Sequence, residues 1–97
     1  MSVVEIMKFR LSEGVDQGEF LQADRRVQAE FAYHQPGLLR RTTARDTEGE
    51  WIVVDLWQSE AQAVACDQRW DSDPATATFR AMVDGSTVST GRYVTLD

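Results

Sequence analysis

The chain has 97 residues, of which 42% are hydrophobic and 27% charged, with a net charge of −6. That size and mix predict one soluble domain with a modest core, burying about 60–65% of the unfolded surface if it folds alone. The acidic balance argues against nucleic acid or an anionic membrane surface as partner, because both need clustered Lys and Arg.

The densest basic cluster, Arg40, Arg41 and Arg45, falls on one predicted strand and reads as a solvated edge. The one cysteine, Cys66, excludes an intrachain disulfide and a Cys-based metal cluster, and fits a reducing compartment. No apolar run approaches the roughly 18–20 residues of a membrane span. The N-terminus has no basic segment followed by an apolar one. A cytoplasmic protein is expected.

In chain order, residues 3–11 (VVEIMKFRL) are rich in β-branched and apolar types and predict a strand. Asp16 and Glu19 have the spacing of a helix-capping pair. The helix they open carries Phe20, Ala23, Val27 and Phe31 as one apolar stripe, and Pro36-Gly37 ends it. Residues 38–45 predict a second strand. The loop 46–50, with Gly49 at a turn position, leads into 51–57 (WIVVDLW), the strongest strand. Ser59 and Gln62 repeat the capping spacing and open a helix over about 60–70, with Ala63, Cys66 and Trp70 on one face. Asp73-Pro74 starts a short helix carrying Ala75, Phe79 and Met82, closed by Asp84-Gly85. Residues 87–96 predict the last strand.

This order, β-α-β-β-α-α-β, predicts an α+β ferredoxin-like βαββαβ antiparallel sheet with its helices on one face. A half-exposed strand should alternate apolar and polar residues. Here Ile52, Val54 and Leu56 point one way while Trp51, Val53 and Trp57 point the other. Val3, Met7 and Phe9 oppose Val4 and Ile6 in the same manner. A sheet apolar on both faces predicts a homodimer through the sheet faces, since a soluble monomer rarely leaves so large an apolar patch in water.

On these residues the chain resembles the dimeric α+β barrel superfamily and, within it, the antibiotic-biosynthesis-monooxygenase-like proteins. The resemblance is carried by VVEIMKFRL, by the helix ending in His-Gln-Pro-Gly-Leu-Leu-Arg-Arg, and by IVVDLWQSEAQAVA. It spans roughly residues 3–95 and is specific for fold and weak for function. It implies a ligand pocket in each protomer, between the sheet and its helices. Haem-binding relatives take their iron ligand from a histidine after the third strand, and residues 59–83 contain none. Cys66 stands near the position of a tryptophan of the haem-degrading members, and Phe9 replaces an asparagine. Haem chemistry is therefore disfavoured, and neither a cofactor nor a metal is expected.

Candidate site residues follow from misplaced polarity. His34 is the only histidine and so the only imidazole base; it continues the Phe20–Val27–Phe31 stripe, so its ring should lean towards the core or pocket rim. Asp24 lies inside that stripe, where a carboxylate must be paired or face a wet cavity; a neighbouring Arg is the structural alternative. His34 and Asp24 form the expected catalytic pair. Glu5, on the Val3–Met7–Phe9 face of a strand expected to be central, has few routes to solvent and predicts an ion pair to Arg92 or a pocket contact. Asp55 poses the same question on the third strand, and the two carboxylates would raise each other's pKa if they met. Trp57 and Trp70 offer an aromatic wall for a flat ligand, or core. Glu5, Asp55, Trp57 and Trp70 are the expected substrate contacts. Cys66 reads as a core thiol.

Two functions follow. One is a cofactor-independent monooxygenase or isomerase acting on a flat, mostly apolar small molecule. The other is a non-catalytic binding or structural module of the same fold. A cavity of about 300 Å³ or more with converging polar groups favours a ligand or enzyme site, and a filled interior favours a structural role.

Overall fold

The computed structural model describes residues 1–97. Strand β1 (Val3–Leu11) runs into a loop that ends at Asp16. The Asp16 carboxylate accepts a hydrogen bond from the Glu19 amide at 3.0 Å, satisfying one of the free amides of helix α1 (Gln17–Glu30). The apolar stripe of α1 is buried, as its spacing predicts. The helix ends at Glu30, earlier than Pro36-Gly37, and the intervening Ala32–His34 forms a 3-10 turn.

Strands β2 (Leu38–Arg45) and β3 (Trp51–Trp57) make the hairpin. Ser59 then caps helix α2 (Glu60–Trp70): its hydroxyl accepts from the Gln62 amide at 3.3 Å and donates to the Gln62 side chain at 3.0 Å. Asp73 caps a 3-10 turn at Pro74–Thr76, which leads into helix α3 (Ala77–Met82). Strand β4 (Val83–Val94) closes the sheet. It begins four residues before the predicted 87. Asp84 and Gly85 lie within the strand, where its register against β1 shifts between Lys8 and Arg10.

All neighbouring strands are antiparallel, in the order β2-β3-β1-β4, so β1 is central. The inner face carries Val3, Phe9, Trp51, Val53 and Trp57, all buried. Phe9, Phe20, Trp51 and Phe79 meet edge-on or tilted, with centroids 4.8–5.8 Å apart, and fill one part of the layer between sheet and helices. On the opposite face Val4, Ile6, Ile52, Val54 and Leu56 remain partly exposed, with no layer of this chain over them.

Candidate functional site

The aromatic packing stops short of the far end of the layer. There a cavity of about 730 Å³ opens between β1, β3, β4 and helices α2 and α3. This is well within the range that holds a small organic molecule. Its apolar lining includes Met7, Phe31, Val53, Trp57, Trp70 and Phe79. Trp70 bridges two of these rings, with centroids 5.6 Å from Phe31 and 5.3 Å from Phe79.

Four of the expected site residues meet here: Glu5, Asp55, Trp57 and Trp70. Glu5 and Asp55 are direct cross-strand partners, so the antiparallel register sets two carboxylates side by side on the inner face. Glu5 pairs with Arg92, its partner on β4, through hydrogen bonds of 2.8 and 3.1 Å. The same guanidinium bonds Asp67 of α2 at 2.6 Å and so ties sheet to helix at the cavity edge. Burial raises the Glu5 pKa, Arg92 opposes that rise, and the Asp67 charge adds to it.

Asp55 lacks such a partner. Its Oδ1 is buried and makes no hydrogen bond, and the nearest cation, the Arg41 Nε, lies 4.0 Å away. Burial pushes the Asp55 carboxyl up to about 7; Arg41 pulls it back only in part, and Glu5, Asp67 and Asp24 reinforce the rise. Trp57, 1% exposed, carries the second orphan: its indole Nε1–H has no acceptor. Both orphan atoms are themselves buried behind the lining, so the 20% of the Asp55 side chain that is exposed lies on its other atoms, while Asp55 and Trp57 occupy neighbouring inward positions of one strand. Unmet buried polar groups are rare in folded proteins. Burial and the nearby carboxylates push the Cys66 thiol up to about 12, which leaves it without thiolate at neutral pH.

The expected catalytic pair lies elsewhere. His34 is exposed in the 3-10 turn after α1, outside the cavity lining; its ring does not lean inward as the stripe predicted, because the helix has already ended. Asp24 is buried beneath α1, bonded by the Arg41 Nη2 at 2.7 Å and the Thr43 hydroxyl at 3.0 Å, and does not line the cavity.

Arg41 is the residue that sequence reasoning missed. Arg40 and Arg45 are exposed, as a strand edge predicts. Arg41 alternates with Arg40 onto the inner face, which it shares with Arg45 at the open end of the strand, and there its side chain is 3% exposed and lines the cavity. The signal was available: a strand alternates its faces, so adjacent arginines cannot both point to water.

No family model matches the sequence, and no curated protein matches it significantly. Solved structures do. The chain superposes on SnoaB, a cofactor-independent oxygenase from Streptomyces nogalater, in its N63A mutant form, with a TM-score of 0.78 at 19% identity, covering 99% of this chain and 94% of that one. A Nitrosomonas europaea protein provisionally named an antibiotic biosynthesis monooxygenase gives 0.74 at 15% identity, covering 98% and 90%. The chain shares the α+β fold of these structures. Rv0793 from Mycobacterium tuberculosis shares the fold as well, with a TM-score of 0.71 at 16% identity over 100% of this chain and 97% of that one. At such identities the likeness concerns the fold.

Proposed function

We propose that this protein is an enzyme that takes a proton from a flat, mostly apolar organic molecule and works as a cofactor-independent monooxygenase or an isomerase. The observation that carries this is the Asp55 carboxyl: inside an aromatic-lined cavity, without a hydrogen bond on Oδ1, and titrating near 7. A base is most effective when its pKa lies near the working pH. In this role Asp55 accepts a proton from an acidic C–H or phenolic O–H of the substrate. In the oxygenase form the substrate carbanion reduces O2 itself. One oxygen atom becomes a carbonyl on the attacked carbon, the other leaves as water, and the two hydrogens of the original CH2 supply that water's protons. In the isomerase form the proton returns to a different carbon. SnoaB, with the same fold, is described as a cofactor-independent oxygenase.

The test is turnover of flat polycyclic phenols and ketones bearing an acidic C–H, followed by oxygen uptake and by exchange of the substrate proton with solvent. Asp55→Asn should lower kcat by about 100-fold or more, the scale of a lost general base, while ligand affinity stays within a few-fold. Turnover by Asp55→Asn close to that of the wild type removes the proposal. Tight binding of such ligands with no turnover by the wild type assigns the cavity to binding alone.

The same reading includes a homodimer through the outer sheet face. It is supported by Val4, Ile6, Ile52, Val54 and Leu56, an apolar patch that this chain leaves without a covering layer. No helix is long and apolar enough to cross a membrane. A cytoplasmic location belongs to the proposal, supported by the lone, unpaired Cys66.

A further inference from the structure

Asp55 is faced from every side by ionisable groups. Glu5 adjoins it on β1, Arg41 on β2 and Asp67 and Cys66 on α2; Asp24 acts from α1, and Arg92 of β4 and Arg80 of α3 line the same cavity. The cations are committed elsewhere. Arg92 is bonded to Glu5 and Asp67, and the Arg80 Nε donates to the Thr76 hydroxyl at 3.0 Å. Arg41 is the cation beside Asp55, and the far side of its guanidinium is held by α1: Nη2 by Asp24 at 2.7 Å and Nη1 by the Gln28 side chain at 3.2 Å. The Thr43 hydroxyl fixes the same Asp24 oxygen from β2. The approach to Asp55 is made by Nε, and it stops at 4.0 Å, beyond a hydrogen bond.

We infer that Asp24 is a positioning residue for Asp55, acting through Arg41: by gripping the far end of the guanidinium it keeps that charge on its own carboxylate and off the cavity carboxyl. The inference rests on the proposed role of Asp55 as proton acceptor. A carboxyl that formed a full ion pair with a buried arginine would be a poor base, because the opposite charge favours the ionised form and depresses its pKa by about 1–3 units. Diverting Arg41 leaves a counter-charge close enough to steady the base once it is ionised, yet too far to quench it. A buried arginine shared unequally between two carboxylates does this with one small difference in distance. Asp24 need not reach the substrate, which explains a buried acid in an apolar stripe that lines no cavity.

The experiment is a carbon-13 NMR titration of the Asp55 carboxyl in the full chain without ligand, the resonance being assigned by its loss in Asp55→Asn. Asp24→Asn keeps the shape and removes the charge, so Arg41 turns to Asp55 and the midpoint should fall by about one pH unit or more. Arg41→Gln should move it upward. In the Arg41→Gln background, adding Asp24→Asn should shift the midpoint by much less than it does alone, since the intermediary is gone. Gln28→Met, on the half-exposed side of α1, loosens the same grip without removing a buried charge and should lower the midpoint by less. An unchanged midpoint in both Asp24→Asn and Gln28→Met overturns the inference, as does an Asp24→Asn shift of equal size with and without Arg41. These titrations need no substrate. A failed midpoint shift therefore sinks the positioning role alone, whereas full turnover by Asp55→Asn sinks the base.

Discussion

A carboxyl held near 7 at residue 55 affects stability as well as chemistry. The unfolded chain loses this proton near the ordinary aspartate value of about 3.9. Between there and about 7 the folded protein holds a proton that the unfolded protein does not, so stability falls as pH rises through that window and levels off above it. Glu5, also raised, acts in the same sense. Asp46 acts in the opposite sense: its pKa is lowered, chiefly by the Glu50 amide, so its contribution is lost only as pH falls below the ordinary aspartate range. A tenfold change in proton affinity between the two states corresponds to about 1.4 kcal/mol. With the Asp55 side chain still 20% exposed, solvent moderates that figure, and about 1–3 kcal/mol is the expected cost at pH 8. Asp55→Asn should therefore be more stable than the wild type by that amount at pH 8 in urea unfolding, with the gain shrinking towards zero near pH 4.5. A gain independent of pH would show that Asp55 is not the group that titrates.

The same residue shows where the sequence is informative about a site. Alternation groups Glu5 with Val3, Met7 and Phe9 and separates Trp57 from Ile52, Val54 and Leu56, the fold shows that Glu5, Asp55 and Trp57 face inward, and strand order predicts the Glu5–Arg92 pair. What alternation cannot report is which carboxyl keeps its partner. That depends on register, which set Glu5 opposite both Asp55 and Arg92, and on the reach of Arg41, which spends its hydrogen bonds on α1. His34 failed as a pocket residue for a local reason: a 3-10 turn replaces the helix after Glu30, so helical periodicity no longer aims its ring.

At the scale of elements, strong local chemistry made the boundaries readable. Both capping pairs form as spaced, and β3 begins and ends at the predicted residues. The start of β4 is harder to read because Asp84-Gly85 looks like a stop. Asp84 instead supports an irregular stretch of strand: its carboxylate accepts from the Ser86 amide and hydroxyl, and its carbonyl accepts from the Thr87 hydroxyl, which in turn accepts from the Arg10 amide. Turn-forming side chains thus serve a bulge inside a strand. Gly37 illustrates a tighter junction. It enters β2 at φ +87°, and a Cβ there would collide with the Gln62 side chain at the start of α2. Gly14 has a similar φ of +84° and open space around it. Gly14→Ala should cost about 1 kcal/mol, the penalty of the left-handed conformation alone. Gly37→Ala should cost about 2–3 kcal/mol, since Gln62 must also leave its bond to Ser59. Equal losses for the two variants in urea unfolding would mean that the α2 cap yields freely.

For the whole molecule, the decisive feature is a sheet that is apolar on both faces. The inner face is covered by helices of the same chain, and Ile6 and Val54, cross-strand partners at the middle of the outer face, are not. A second copy laid over that face would bury them, and a stable pair of this kind hides about 1,200–2,000 Å² in total. Sedimentation at micromolar concentration should then show a species of twice 11.0 kDa. Val54→Asp should convert it to a monomer while leaving the helix-covered core intact, because a lone carboxylate in an apolar interface is costly to desolvate. Charge adds a second handle. Each chain carries −6, so two copies repel, and salt screens that repulsion over about 10 Å at 0.1 M. A dimer held by apolar contact and opposed by charge should therefore tighten as salt rises from about 0.01 to 0.5 M, whereas one held by ion pairs would loosen. A wild-type species of 11.0 kDa at every salt concentration would leave the outer face bare in solution and remove the case for a two-chain barrel.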